Sequence, residues 1–368
     1  MKDLRDPFPI AEHYTYMNIA NHSPPSTPVK TAIRGFLDDW DRLSRHGDKR
    51  VELANDSFAR LIGAKPHEVA CQPNTSRGLA TVADSTMYRR GDNVIVNDLE
   101  NWANVYPWTA LRSRGVEVRV VKGRGGSIRL EDVEVHTDDR TRAISISQVQ
   151  WLTGARSDLK PLSELAHSHG AYLMVDGIQA AGAIKVDVKR DDVDFYACGS
   201  YKWLLGPSGA GFLYAREDVL GDLRPRQWGY RAVKEHSLDE PVLKDTAQKL
   251  EFGEPSYLSF VGTKAGIDLI LGLGVDRIER QVLSLSSRLV DGLTGLGAVL
   301  ISPVDPSQRS GVVSFTTDAT EDHYRRLTEE GFIVSLRPAG IRVSTGFYNT
   351  AEEVDRLLGR LEHYMRGR

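Results

Sequence analysis

The sequence predicts an α/β protein with a mostly parallel sheet flanked by helices, followed by a smaller α+β domain at the C-terminus. Short apolar runs rich in valine and isoleucine are predicted to be strands, at 92–98, 116–121, 142–147 and 171–176. Their nearly continuous apolar character is typical of parallel strands covered on both faces. Helical patterns lie between them, and the one at 159–170 ends on a glycine, which is a helix stop signal. Alternating strands and helices favour a parallel sheet.

The pattern changes after about residue 240, where the smaller domain is expected. A long helical stretch is followed by a strand and two further helices, at 263–297, 311–317, 322–331 and 351–365. A chain of 368 residues is too long for one ordinary core. We therefore predict an N-terminal segment that packs on the small domain (1–20), a large domain (21–240) and a small C-terminal domain (241–368).

The composition narrows the possible partners. With 26% charged residues, a net charge of -3 and no block rich in lysine and arginine, the chain lacks the clustered positive charge that is typical of nucleic-acid binding. No apolar run approaches the roughly 20 residues that a membrane span needs, and the N-terminus lacks the apolar centre of a signal peptide. The two cysteines, Cys71 and Cys198, have no metal-ligand spacing, so no metal site is expected. The prediction is a reduced, cytoplasmic protein without nucleic-acid or membrane partners.

Asp176 ends the apolar run AYLMVD (171–176). Open parallel sheets bind ligands beyond the carboxyl ends of their strands, so this carboxylate is placed to meet one. A carboxylate there can hydrogen-bond the N–H of a heteroaromatic ring and keep the ring protonated. An aspartate before Gly177 is equally typical of a helix N-cap or a turn, and the segment by itself leaves both interpretations open.

Lys202 follows the small residues Gly199 and Ser200 and precedes an aromatic-aliphatic run and a loop rich in glycine. A lysine in such surroundings is partly desolvated, which lowers its pKa and leaves more of the neutral amine that forms a Schiff base. The alternative is a surface lysine in a glycine-rich loop.

The segment ACQPNTSRGLATVA (70–83) predicts a strand end followed by a helix. Thr75, Ser76 and the N–H groups around Arg77 and Gly78 would open that helix and could bind a phosphate. An ordinary N-cap accounts for the same residues. The three segments together, in this order, supply what pyridoxal 5'-phosphate needs: an acid for the ring nitrogen, an amine for the aldehyde and N–H groups for the phosphate.

With these segments the chain resembles class V aminotransferase-fold enzymes, the group of cysteine desulfurases, kynureninases and isopenicillin N epimerase-like proteins. The resemblance runs from YTYMNIANHSPPSTP (14–28) to RVSTGFYNTAEEVDRLL (342–358). Its most specific part is VDGIQAAG followed by SYKWLLGPSGAGFLY. The resemblance implies the fold type I architecture of pyridoxal phosphate enzymes and a homodimer.

The resemblance also implies roles in binding the cofactor. Lys202 would form the Schiff base and move protons at the substrate Cα, while Asp176 would pair with the ring nitrogen. Gln179 would hydrogen-bond the 3'-oxygen of the ring. Trp102 falls where the family places an aromatic residue that stacks on the ring. The phosphate would be held by Thr75, Ser76, Arg77 and Tyr201.

A second set of residues is predicted to meet an amino-acid substrate. Arg342 matches the arginine that binds the α-carboxylate with two parallel hydrogen bonds. His22 is expected on the substrate side, and Trp151 stands where desulfurases have a substrate-contacting asparagine. Arg337 and Arg156 are expected to face solvent.

Two departures from the family pattern bear on the reaction. The stretch before Arg342 (329–342) lacks the nucleophilic cysteine of desulfurases, and Glu254 replaces a threonine that reaches the partner subunit's phosphate. We therefore predict Cα deprotonation of an α-amino acid bound to the cofactor, followed by cleavage of a Cβ bond, such as β-elimination from an S-substituted cysteine. An epimerase or aminotransferase using the same cofactor, and a non-catalytic binding protein, are the alternatives.

Overall fold

The structure, a computed structural model, describes residues 4–366, except the side chains of residues 43 and 44. Residues 1–3 and 367–368 of the predicted terminal parts lie outside the described residues. The α-helices are α1 (Thr27–Asp38), α2 (Trp40–Leu43), α3 (Gly47–Ile62), α4 (Thr75–Ser85), α5 (Tyr106–Ala110), α6 (Leu130–Glu134), α7 (Leu159–Ser168), α8 (Tyr257–Leu273), α9 (Val275–Gly295), α10 (Thr320–Glu329) and α11 (Ala351–Arg366).

The first eight strands are β1 (Thr15–Tyr16), β2 (Val69–Gln72), β3 (Asn93–Asn97), β4 (Glu117–Val121), β5 (Thr141–Ser147), β6 (Tyr172–Asp176), β7 (Phe195–Gly199) and β8 (Gly211–Ala215). The remaining strands are β9 (Val233–Glu235), β10 (Val242–Leu243), β11 (Val299–Leu300), β12 (Val312–Thr316), β13 (Phe332–Ile333), β14 (Ser335–Arg337) and β15 (Gly340–Ser344).

A seven-stranded sheet in the order β2-β8-β7-β6-β5-β3-β4 forms the larger part of the molecule. The β4-β3-β5-β6-β7 part is parallel, while β8 is antiparallel to both β7 and β2. Apolar cores lie on both faces: neighbouring residues Met174 and Val175 of β6 belong to different cores. This architecture confirms the predicted fold class, because only a strand covered on both sides has reason to be apolar at every position.

A second sheet of four antiparallel strands, in the order β11-β12-β15-β14, packs with α9, α10 and α11. The N-terminal segment reaches this sheet region, since β1 runs parallel to β13. It then turns toward the larger sheet: the Ala20 N–H donates to Ser344 Oγ on β15, and the Ala20 carbonyl accepts from Gln179 Nε2 beyond β6. Residues 15–22 therefore link the two sheets; the predicted boundary near residue 240 stays a prediction.

The long helical stretch predicted over 263–297 is divided between two helices, α8 and α9, because the chain breaks at Gly274. This glycine has φ +87°, a conformation that side chains disfavour, and its N–H donates to the Ile270 carbonyl at the end of α8. Helices α8 and α9 consequently meet at 85°. Within residues 4–366, no helix is by itself long and apolar enough to cross a bilayer, although α8 and α9 taken together meet that length and composition.

Candidate active site

A cavity lies beyond the carboxyl ends of β5 and β6, between the start of α4 and the loop after β7. It brings together most of the predicted cofactor residues. The lining residues are Asn74, Thr75, Ser76, Asn101, Ala103, Ser147, Val149, Trp151, Asp176, Ile178, Gln179, Tyr201 and Lys202.

Asp176 is the last residue of β6 and is 3% exposed. Its Oδ1 accepts a hydrogen bond from the Ile178 N–H at 3.0 Å, and its Oδ2 has no hydrogen-bond partner among the described residues. Burial raises the pKa of this carboxyl group well above the ordinary aspartate range, while Lys202 opposes that shift. The group is thus held at the cavity with one oxygen left for a ligand.

Gly177 is tightly enclosed directly after this aspartate. A Cβ built there would lie 2.0 Å from Cζ of the buried Tyr196, whose ring packs beneath the turn. We expect Gly177→Ala to lower the free energy of unfolding by about 1–3 kcal/mol or more, as overpacked core positions do. Denaturant unfolding would measure this against Gly35→Ala, since a Cβ at Gly35 meets nothing within 4 Å. Equal stability of the two variants would contradict this reading of the turn.

Lys202 lies in the loop that follows β7, and its Nζ sits 5.6 Å from the centre of the Tyr201 ring. Burial lowers the pKa of Lys202, Asp176 opposes the shift, and the charges of Arg342 and Arg337 reinforce it. Lys202 and Asp176 line the same cavity and affect each other electrostatically, yet no direct ion pair joins them. The acid and the amine therefore face one shared space.

Helix α4 presents its first turn to the cavity. Thr75 Oγ1 accepts from the Gly199 N–H, so its own hydroxyl hydrogen remains available, and Ser76 is exposed. Asn74 caps the helix by accepting from the Arg77 N–H at 2.9 Å. The prediction that Arg77 helps to hold a phosphate is therefore not supported: its N–H is already used, and its guanidinium reaches Gln227 instead.

Gln179 and Tyr201 both line the cavity as predicted. Gln179 accepts from the Trp203 indole N–H and donates one amide hydrogen to the Ala20 carbonyl, which leaves its second amide hydrogen available. His22 is exposed and packs against Tyr201, with ring centroids 4.9 Å apart and ring planes tilted by 38°, and it is not part of the cavity lining.

Trp102 does not line the cavity. It is 61% exposed and stacks on Tyr106, with ring centroids 5.4 Å apart. Asn101 caps this short 3-10 turn by accepting from the Ala103 N–H, and these two residues line the cavity on either side of the tryptophan. The predicted aromatic stacking position is thus wrong, because the turn directs alternate side chains to the cavity and to solvent.

Arg342 on β15 is 1% exposed and donates a hydrogen bond from Nη1 to the Trp151 carbonyl at 2.7 Å. Its Nε and Nη2 groups are buried and have no hydrogen-bond partner among the residues that the structure describes. Burial, reinforced by the charge of Arg337, lowers the pKa of Arg342 to about 9. Such a group has unmet capacity for an anion, and it adjoins the cavity through Trp151.

The other two predicted arginines, Arg156 and Arg337, lie in different surroundings. Arg156 forms an ion pair with Glu279 at 2.9 Å. The expectation that Arg337 faces solvent is wrong, because its Nε is buried and its charge helps to lower the pKa of Lys202. Its position follows from the hairpin, because Ser335 pairs with Arg342 and side chains two residues apart share a sheet face.

A buried carboxylate, Glu100, was not anticipated from the sequence. Its oxygens accept hydrogen bonds from Asn97 and Asn104 amides, the Gln150 amide, and both the N–H and the hydroxyl of Ser147. The sequence feature that could have indicated its role is its position in the loop immediately after β3. This network fixes Ser147 in the cavity wall, and the charge of Glu100 contributes to the raised pKa of Asp176.

Both cysteines are enclosed: Cys71 is 5% and Cys198 is 0% exposed. Burial raises the pKa of each thiol well above its ordinary value, which disfavours the thiolate. Glu254 is exposed and accepts a hydrogen bond from the Tyr230 hydroxyl of its own chain. Among residues 4–366 no group of three or more His, Cys, Asp or Glu side chains is placed to hold a metal ion.

Comparison with known proteins gives a family. A model described as aminotransferase class V matches residues 39–357. A probable cysteine desulfurase of Methanothermobacter thermautotrophicus is 30% identical, over 98% of this chain and 97% of its own. The chain belongs to the class V aminotransferase family. An uncharacterized aminotransferase of Bacillus subtilis, YcbU, is 29% identical to this class V protein, over 96% and 95% of the two chains.

Solved structures agree on the fold. The apo cysteine desulfurase of Thermococcus onnurineus NA1 has a TM-score of 0.92 at 27% identity, covering 100% of this chain and 99% of its own. A complex of the cystine C–S lyase C-DES with its product cysteine persulfide has a TM-score of 0.89 at 23% identity, over 96% and 99% of the chains, and supports the fold alone. Class V aminotransferases are pyridoxal 5'-phosphate enzymes, so the predicted family and cofactor are confirmed.

Proposed function

We propose that this class V enzyme cleaves a Cβ bond of an α-amino acid, with an S-substituted cysteine as substrate. The observation that carries the proposal is Arg342, a buried guanidinium whose charge acts on Lys202 and which has two nitrogen donors without a partner among the described residues. An α-amino acid brings a carboxylate and an amino group on adjacent atoms, which matches an anion-binding group beside a reactive amine.

The cavity residues fit the cofactor. Asp176 has a free carboxylate oxygen for the ring nitrogen, Gln179 has a spare amide hydrogen, and Thr75 and Ser76 offer the first turn of α4 to a phosphate. Lys202 would hold the aldehyde carbon. When bound, pyridoxal phosphate delocalises the charge that remains after Cα loses its proton.

Lys202 is the residue that we assign to proton transfer. Its lowered pKa leaves neutral amine available near neutral pH, as a general base requires. Of the side chains that line the cavity, Asp176, Tyr201 and Lys202 are the titratable ones. Burial raises the pKa of Tyr201, and this residue adjoins Lys202 in the chain, so a second base for the opposite face of Cα is missing from the lining. One base suffices for elimination, whereas epimerisation by two bases needs one base on each face of Cα.

The enclosed thiols favour release of sulfur as a free thiol over transfer to the protein. Neither Cys71 nor Cys198 lines the cavity, and burial raises the pKa of both thiols, which disfavours the thiolate. In the proposed reaction the substrate loses its Cα proton, and the Cβ–S bond breaks with its electron pair leaving on sulfur, which is protonated. Addition of one water then gives pyruvate and ammonium, so no oxidant or reductant is needed.

An assay of the holoenzyme with S-substituted cysteines tests this function. We expect thiol, pyruvate and ammonia in equal amounts from at least one of them. Chiral chromatography of recovered substrate and a screen of keto-acid acceptors would detect the competing reactions. Racemised substrate, or an amino-acid product without thiol release, would show that the enzyme is an epimerase or an aminotransferase.

We also propose a homodimer. The segment 252–257 is the candidate for reaching the neighbouring subunit, since Phe252 is 54% exposed and contacts Arg77 through a cation–π interaction at 5.7 Å. Sedimentation of the purified enzyme would measure the oligomeric state.

A further inference from the structure

The small sheet carries a second cation, Arg337, whose charge acts on Lys202. Arg337 on β14 donates from Nη2 to Asn21 Oδ1 at 2.9 Å, and weakly to Ser335 Oγ at 3.5 Å. Its Nε is buried without a partner. Because Ser335 is paired with Arg342 across the hairpin, Arg337 and Arg342 lie on the same sheet face. Their charges act on each other and on Lys202.

Neither of these arginines forms an ion pair with any carboxylate among residues 4–366. Other enclosed arginines of the same chain are compensated: Arg231 pairs with Glu251 at 2.9 Å, and Arg216 pairs with Asp194 at 2.8 Å. Arg342 is buried and Arg337 is partly buried, and guanidinium groups withdrawn from water without a counter-charge are costly unless a ligand supplies it. The α-carboxylate of an amino acid supplies one negative charge for two such groups.

We propose that the substrate carries a second acidic group at the end of its side chain, with Arg342 binding the α-carboxylate and Arg337 binding this terminal acid. The inference rests on the proposed function and narrows it to acidic S-substituents. The Asn21 contact supports this role, because it holds the guanidinium by one nitrogen and leaves the buried Nε available. Arg337 is then a specificity-determining residue, whose contribution depends on the charge of the substituent and is absent for a neutral one.

The test compares two substrates of nearly equal shape, S-carboxymethylcysteine and its amide, S-carbamoylmethylcysteine. We expect the holoenzyme to prefer the acid in kcat/KM by about tenfold or more, the usual size of one charge-assisted hydrogen bond. Arg337→Gln should remove that preference, and measurable turnover of the amide by the variant would show that it is folded. Arg325→Gln, an exposed arginine of α10, is the matched control and should keep the preference.

A binding measurement separates this inference from the proposed reaction. Glutarate and butyrate have no amino group, so calorimetric titration of the holoenzyme with each reports anion binding without chemistry. We expect glutarate to bind about tenfold or more tighter than butyrate, and Arg337→Gln to abolish the difference. Equal binding of the two acids, or a difference that survives in Arg337→Gln, would overturn the second anion site. If glutarate binds as expected but no amino acid reacts, the site stands and the proposed lyase activity fails.

Discussion

Lys202→Ala is expected to abolish activity and the bound cofactor's yellow colour. Removing the amine eliminates both the covalent attachment point and the base, and loss of a general base alone slows a reaction by about 10²–10⁴-fold. Borohydride reduction followed by intact-mass measurement should show cofactor fixed to the parent enzyme and not to the variant.

Lys185→Ala is the control for this experiment, because Lys185 pairs with Asp276 on the surface, away from the cavity lining. It should retain colour and rate. Cofactor that becomes fixed to Lys202→Ala through another lysine would refute the assignment of Lys202.

Asp176→Asn should lower kcat/KM by about 30- to 4,000-fold, the range for truncating a buried charge pair at about 2–5 kcal/mol. An amide cannot stabilise a protonated ring nitrogen as a carboxylate does. Steady-state kinetics of the reconstituted variant would measure the loss. Asp222→Asn, which alters a partly exposed hydrogen bond with Tyr172, should keep full activity.

The same variant separates catalysis from stability. Because burial raises the pKa of Asp176, its ionised form is disfavoured in the folded apoprotein, and the carboxylate costs stability as pH rises above the ordinary aspartate range. Asp176→Asn should therefore unfold at an equal or higher denaturant concentration than the parent at neutral pH, with the gain lost in acid. A variant that is both inactive and less stable at neutral pH would indicate a structural role.

Sequence patterns were sufficient to place Asp176 and Lys202 in one cavity, because each lies at or after the carboxyl end of a parallel strand. Asp176 ends an apolar strand and Lys202 follows the next strand, and parallel strands present their carboxyl ends at one edge of the sheet. The same logic brought Gln179 and Thr75 into the cavity lining.

Local geometry decided what the patterns missed. The capping of α4 by Asn74 consumes the Arg77 N–H, and a short 3-10 turn sends Trp102 outward while Asn101 faces the cavity. Arg337 shares a sheet face with Arg342 because of the register between β14 and β15. The sequence of a single strand does not define that register. These differences concern single residues, whereas strands β3 to β6 lie within one residue of their predicted ranges.

The N-terminal segment at residues 15–22 connects the two parts of the molecule that form the site. Lys202 follows a strand of the larger sheet, Arg337 and Arg342 lie on the smaller one, and this segment is hydrogen-bonded to both sheets. The distance between the amine and the arginines therefore depends on this backbone together with the loop after β5, whose Leu152 and Trp151 carbonyls accept from Ser314 and Arg342. We expect insertions or deletions in either stretch to change the length of substrate that the site accepts, without altering Asp176 or Lys202.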